Sequence, residues 1–141
     1  MVKVMASGVF DLIHPGHISY LNQAKSYGDH LVVVVACDAT VRKKKHEPIT
    51  PERLRAMVVG SLKPVDEVIV GTEGDIYDTV RKIKPDVIVL GYDQKFDEKE
   101  LERTLEEKGL GGIRVVRATE TADDLNATRR IVAKIRGMNS Q

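Results

Sequence analysis

Two histidines three residues apart, His14 and His17 in the run GVFDLIHPGH, flank Pro15 and Gly16 where a strand-like segment gives way to a helix. An imidazole donates a hydrogen bond to a phosphoryl oxygen. A helix beginning near Gly16 and His17 turns unpaired N–H groups and the positive end of its dipole toward the same space. Gly16 leaves no side chain where the main chain must approach a ligand. Together these residues describe an anion site. The alternatives are a surface pair, a helix cap, or two ligands of a zinc ion. Zinc is short of donors, because Cys37 is the only cysteine and no third histidine has suitable spacing. No metal-ligating residues are therefore assigned.

The elements that must hold this pair follow from the pattern of apolar runs. VKVMASGVF, HLVVVVACD, DEVIVG, KPDVIVLG and IRVVRA read as five strands, and the four consecutive valines suit a strand covered on both faces. HISYLNQAKSYG, TPERLRAMVVGSL, DIYDTVRKI, FDEKELERTLEEKG and NATRRIVAKIRG read as helices. Thr50 is expected as the N-cap of the second of these with Pro51 at its first position, Asn126 as the N-cap of the last, and RKKKHEP as a basic loop. Regular alternation of strand and helix predicts an α/β fold, a Rossmann-like, doubly wound, parallel five-stranded sheet in a single domain spanning 1–141. In such sheets ligands sit beyond the carboxyl ends of the strands, where the strand order reverses.

Bulk composition excludes several classes of partner. With 22 Lys and Arg against 21 Asp and Glu there is no overall field for nucleic acid or a membrane surface. The longest apolar run, residues 31–37, falls far short of the ~18–20 residues that span a bilayer, and the N-terminus has no signal-like apolar stretch. A soluble cytoplasmic protein is expected. There is no G-x-x-x-x-G-K-[ST] loop, and no G-x-G-x-x-G follows the first strand, so Walker-type NTPases and dinucleotide oxidoreductases lose support.

GVFDLIHPGH resembles the G-T-F-D-x-x-H-x-G-H signature of the cytidylyltransferase-like nucleotidyltransferases, with Val9 where Thr is common. RAMVV from Arg55 is similar to their R-x-x-x-[VI] segment, and GYDQ at 91–94 to the G-x-D motif after the fourth strand. Within that superfamily, VVACDATVRKKK and KPDVIVLGYDQKFDEKEL look close to archaeal-type FAD synthetases. The resemblance implies transfer of AMP from ATP to FMN, giving FAD and pyrophosphate, with Mg2+ or another divalent cation bound with the nucleotide, and a homodimer. Glycerol-3-phosphate cytidylyltransferases and the adenylyltransferase part of heptose-phosphate enzymes share the fold and the histidine motif. A nucleotide-binding module without turnover is the remaining alternative.

Carried onto this chain, the resemblance implies catalytic roles for His14, His17, Lys44 and Arg55. Nucleotide contacts fall to Gly8, Val9, Phe10, Asp11, Gly16, His17, Gly91, Asp93, Thr128 and Arg129. Arg55 forks onto phosphate in this scheme; otherwise it forms a surface pair with Glu52. Either Lys44 or Lys45 meets the triphosphate, unless the basic run is a solvated surface. Asp93 accepts from ribose or adenine, or belongs to a plain turn, and Asp11 holds a histidine or a magnesium-bound water, or caps the turn. NATRRI keeps Thr128 but otherwise departs from the family's Ser/Thr-rich S-[ST]-T-x-I, and the cysteines found near the C-terminus of some archaeal-type FAD synthetases are absent. Phe10, Tyr20, Tyr92 and Phe96 are the available flavin-stacking candidates.

Overall fold

The valine-rich runs form the interior of a sheet buried on both sides, as parallel pairing requires. A computed structural model describes residues 1–44, 47–120 and 128–139, without the side chains of 128, 129 and 139. In chain order the elements are β1 (Lys3–Gly8), α1 (Pro15–Lys25), β2 (His30–Val35), α2 (Asp38–Lys44), α3 (Glu52–Gly60), β3 (Glu67–Val70), α4 (Ile76–Ile83), β4 (Val87–Leu90), α5 (Glu98–Glu107), β5 (Arg114–Arg117) and α6 (Thr128–Asn139). Every strand pair is parallel and the order is β3-β2-β1-β4-β5, the Rossmann-like sheet expected.

Alternation along the strands divides the core in two. Val4, Ala6, Leu31, Val33 and Val35 pack against Leu21 and Ala24 of α1 and Val59 of α3. Met5, Val32, Val34 and Ile88 pack against Val80 and Ile83 of α4 and Leu105 of α5. One face of the sheet therefore carries α1 and α3, and the other carries α4 and α5.

Two local expectations shift. Arg42, Lys43 and Lys44 lie in the last turn of helix α2 and not in a loop. Val41 docks its side chain at 2% exposure and its N–H bonds the Cys37 carbonyl, while Asp38 in the first turn and the basic last turn both suit the helix dipole. Pro51, not Thr50, is the N-cap of α3: its carbonyl takes the Leu54 and Arg55 N–H groups, and the Thr50 hydroxyl turns to the Asp11 carbonyl. Helix α5 ends as its glycine suggests. Gly109 has φ +79, its N–H reaches Glu106 O at 3.1 Å and Leu110 N–H reaches Leu105 O at 2.8 Å, a Schellman closure with both leucines in the core.

The order reverses between β1 and β4, and there the two strands part. Their pairing ends at Ala6 and Val89, while β1 continues along β2 to Gly8. Side chains take over the freed groups. The Tyr20 hydroxyl accepts from Ser7 N at 3.1 Å and donates to Val89 O at 2.6 Å, and Gln94 Nε2 donates to Ser7 O at 3.1 Å. Burial raises the Tyr20 pKa, so the phenol keeps the proton that this bridge needs.

Candidate active site

The loop after β1 doubles back tightly. Phe10 has φ +54, a left-handed conformation uncommon outside glycine, and its buried ring lies under Gly8, where an added Cβ would come within 3.0 Å of Phe10 Cε2. The ring also meets His17 at 5.0 Å between centroids with a 56° tilt. Asp11 accepts from the Ile49 and Thr50 N–H groups, both at 2.9 Å, so its carboxylate anchors the segment leading into α3. This tie between two loops is a contact that the sequence reading of Asp11 did not include.

Helix α1 begins at Pro15, one residue earlier than the sequence suggests, with His14 as an extended N-cap making no side-chain cap bond. The His14 carbonyl takes the His17 and Ile18 N–H groups at 3.0 and 3.3 Å. Because Pro15 has no N–H, Gly16 supplies the open donor of the first turn. The two imidazoles stack, with centroids 3.7 Å apart and planes 23° from parallel. Nδ1 of His14 is buried without a hydrogen-bond partner among the described residues.

Burial holds the His14 pKa below its ordinary value of 6.5, and the nearby negative charge of Asp93 offsets this only in part. The sign of the linkage follows. Between the folded-state value and 6.5 the unfolded chain binds a proton that the folded chain refuses, so stability present above pH 6.5 is lost as pH falls through that window. Urea unfolding at a series of pH values is expected to show this slope, and His14→Asn to flatten it. Asp38 and Asp66, both held below 3.8, contribute only at lower pH.

The 91–94 turn after β4 faces the pair and is tied to β1 through the Gln94–Ser7 bond and to β5 through Arg117. Gln94 Oε1 accepts from Gly91 N at 3.0 Å. Arg117 at the end of β5 donates to Gly91 O at 3.0 Å and Gln94 O at 2.7 Å, also reaching Phe96 O and Glu98. Gln23 of α1 holds the segment after β5, accepting from Thr119 N at 2.9 Å and donating to Thr119 O at 3.1 Å. Sequence reasoning passed over Arg117 and Gln23. Arg117 had one available signal, an arginine ending an otherwise apolar strand.

The cations are disposed differently from expectation. Arg55 is 1% exposed, and its guanidinium donates to Thr50 O (2.8 Å), Val9 O (2.9 Å), Ala36 O (2.7 Å) and the Asp38 carboxylate (2.5 Å). Neither the phosphate fork nor the pair with Glu52 is present. Glu52 instead accepts from Asp38 N at 2.8 Å. Partial burial by itself raises the Asp38 pKa, but the bond from Arg55 heads the interactions that hold it below its ordinary value. Arg42 pairs with Glu47 and Lys43 with Glu73, while Lys44 makes no ion pair among the described residues. Lys45, Asn126 and the side chains of Thr128 and Arg129 lie outside those residues; the backbone of Thr128 does open α6.

Gly8 ends β1, Phe10, Asp11 and His14 lie in the loop after it, Gly16 and His17 sit in the first turn of α1, and Gly91 and Asp93 follow β4, so all eight lie near the point where the strand order reverses. Val9 contributes its carbonyl to Arg55. Among the described residues no three His, Cys, Asp or Glu side chains cluster as metal ligands, and no helix is long and apolar enough to cross a membrane.

A parallel sheet with a helix N-terminus and two imidazoles beside the crevice where its strand order reverses places the protein in the Rossmann-like α/β class. A family model described as cytidylyltransferase-like matches residues 5–132, and the chain belongs to that family. It is 54% identical over 136 residues to a FAD synthase of Aciduliprofundum boonei, covering 96% of this chain and 91% of that one. It is 50% identical over 135 residues to a FAD synthase of Thermoplasma acidophilum, covering 96% and 94%. Among solved structures, a Thermoplasma volcanium protein described as a lipopolysaccharide core biosynthesis protein is similar, with a TM-score of 0.83, 49% identity, and coverage of 86% of this chain and 98% of that one.

Proposed function

We propose that this protein transfers the AMP part of ATP to FMN, forming FAD and releasing pyrophosphate. The stacked His14 and His17 pair at the start of α1, beside the β1–β4 crevice, is the observation that carries the transfer chemistry. The choice of acceptor rests on the FAD synthases that are 50–54% identical over nearly the whole chain.

An oxygen of the FMN phosphate attacks the α-phosphorus of ATP. A new O–P bond forms, the bond to the bridging oxygen breaks, and pyrophosphate leaves with the electron pair. A phosphate monoester with a second pKa near 6 is already mostly dianionic at neutral pH, so no general base is needed. This matches a His14 whose Nδ1 no carboxylate holds, unlike the base of a triad. What the reaction demands is donors aimed at charge that builds on the α-phosphoryl and departing oxygens. His14, His17 and the Gly16 N–H supply them, and Asp93 receives the nucleoside. A divalent cation bound with the nucleotide would neutralise the phosphates while being held mainly by phosphate and water. Lys44, Thr128 and Arg129 remain the cationic and helix-terminal candidates for the β- and γ-phosphates. A cytoplasmic location, where ATP is at hand, and a homodimer accompany this function by family resemblance.

Purified protein with ATP, FMN and Mg2+ is expected to yield FAD and pyrophosphate in equal amounts. Pyrophosphate released with CTP and glycerol phosphate, or with ATP and a sugar phosphate, but not with ATP and FMN would transfer the assignment to another acceptor.

A further inference from the structure

Beyond the last paired residues of β1 and β4, the next two rungs of the ladder are each occupied by a side chain. With Met5 opposite Ile88 and Ala6 opposite Val89, parallel pairing would next join Ser7 N–H to Val89 O and Gly91 N–H to Ser7 O. In the first rung the Tyr20 hydroxyl stands between the partners, 3.1 Å from Ser7 N and 2.6 Å from Val89 O. In the second stands the Gln94 carboxamide, whose Oε1 accepts from Gly91 N at 3.0 Å and whose Nε2 donates to Ser7 O at 3.1 Å. Bonds through an inserted group thus replace direct bonds of about 2.9 Å.

We propose that Tyr20 and Gln94 are positioning residues that hold the crevice at the width of one bound nucleoside, an inference that rests on the site being one for ATP. Neither side chain meets a reacting atom. Their work is to set the separation of the groups that do.

Stability does not call for the insertion. Direct pairing would satisfy the same main-chain groups without fixing the rotamers of two side chains. What the insertion achieves is distance. The α-phosphate and the nucleoside of one ATP are joined covalently, so the donors to the first and the acceptor for the second must stand a fixed way apart. The donors, at His14, Gly16 and His17, follow β1, and Asp93 follows β4. Asp93 lies near enough for its charge to act on the His14 imidazole. Closing the two rungs would draw Gly91 directly against Ser7 and narrow that gap.

Each spacer is also fixed to one of the sides it separates. Tyr20 is a buried residue of α1, one turn beyond His17. Gln94 adjoins Asp93, and its own carbonyl is held by Arg117 at 2.7 Å. A shift of either spacer therefore moves part of the site with it.

Gln94→Glu separates the spacer from a merely structural group. A carboxylate still accepts from Gly91 N–H but cannot donate to Ser7 O, whereas the protonated acid regains an O–H donor. Steady-state FAD formation and calorimetric titration with ATP are compared with wild type over a pH series, at a temperature where both proteins are folded. The expected result is a KM for ATP raised about tenfold at neutral pH and returning toward the wild-type value as the solution is made mildly acidic. Tyr20→Phe, which leaves Ser7 N–H and Val89 O to close on each other, is expected to raise the KM for ATP in the same direction. An ATP KM unchanged in both variants, or a loss in Gln94→Glu that acid does not relieve, would overturn the proposal. If the wild-type protein makes no FAD, the acceptor assignment fails on its own, and the ATP titration still decides the spacers. Binding weakened by Gln94→Glu and restored by acid supports them, and binding that is absent or insensitive removes them.

Discussion

His17→Ala is expected to lower the turnover number for FAD formation by about 10²–10³, the effect of removing one well-placed donor to a developing oxyanion. The thermal midpoint should move little by comparison, because the ring sits at the rim in the first turn of α1, against His14 and Phe10. His14→Ala should cost a similar factor. The double variant should fall well short of the product of the two, since the rings stack at 3.7 Å and act as one unit. Burial holds the His14 pKa below its ordinary value, which favours the neutral imidazole at neutral pH. Single-turnover kinetics separate these effects from nucleotide affinity. Turnover within a few-fold of wild type, with tight ATP binding intact, would reduce the protein to a nucleotide-binding module.

Arg55→Ala is expected to damage the fold before the chemistry. The guanidinium satisfies three carbonyls, at Thr50, Val9 and Ala36, and neutralises the partly buried Asp38. Removing one member of such a pair costs about 3–5 kcal/mol, and the partial exposure of Asp38 favours the lower end. Against a total stability of roughly 5–15 kcal/mol, this should lower the thermal midpoint by roughly 10 °C. Arg55→Lys should recover little, because one ammonium cannot span acceptors from the ends of β1 and β2 together with Asp38. Were Arg55 a phosphate ligand, activity would collapse while the unfolding midpoint stayed in place. Circular dichroism melts beside kcat measurements therefore distinguish the two roles.

What separates Arg55 from the histidines is the distance over which their surroundings are assembled. His14 and His17 meet through one helical turn, so their spacing in the sequence already carries their geometry. The acceptors of Arg55 arrive from β1, β2 and the chain before α3, and no local pattern announces a guanidinium turned inward. Arg117 was overlooked for the same reason, since its partners belong to the loop after β4. The strands were legible because their apolar runs need no partner to be recognised. Helix α5 was legible because Gly109 closes it. Helix α2 was obscured by three consecutive cations that hid the single docked side chain of Val41.

That strand order also has a consequence for the nascent chain. The strand at the centre is made first, yet its neighbour on the crevice side comes much later: Lys3 N–H is held by the Asp86 carboxylate, 83 positions away. During synthesis the open border of β1 must wait until most of the polypeptide has left the ribosome. Such long-range pairing slows folding and leaves an unsatisfied strand available to other molecules in the interval. Competence to grip a nucleotide is therefore acquired late, in a closing event that brings β4 against β1.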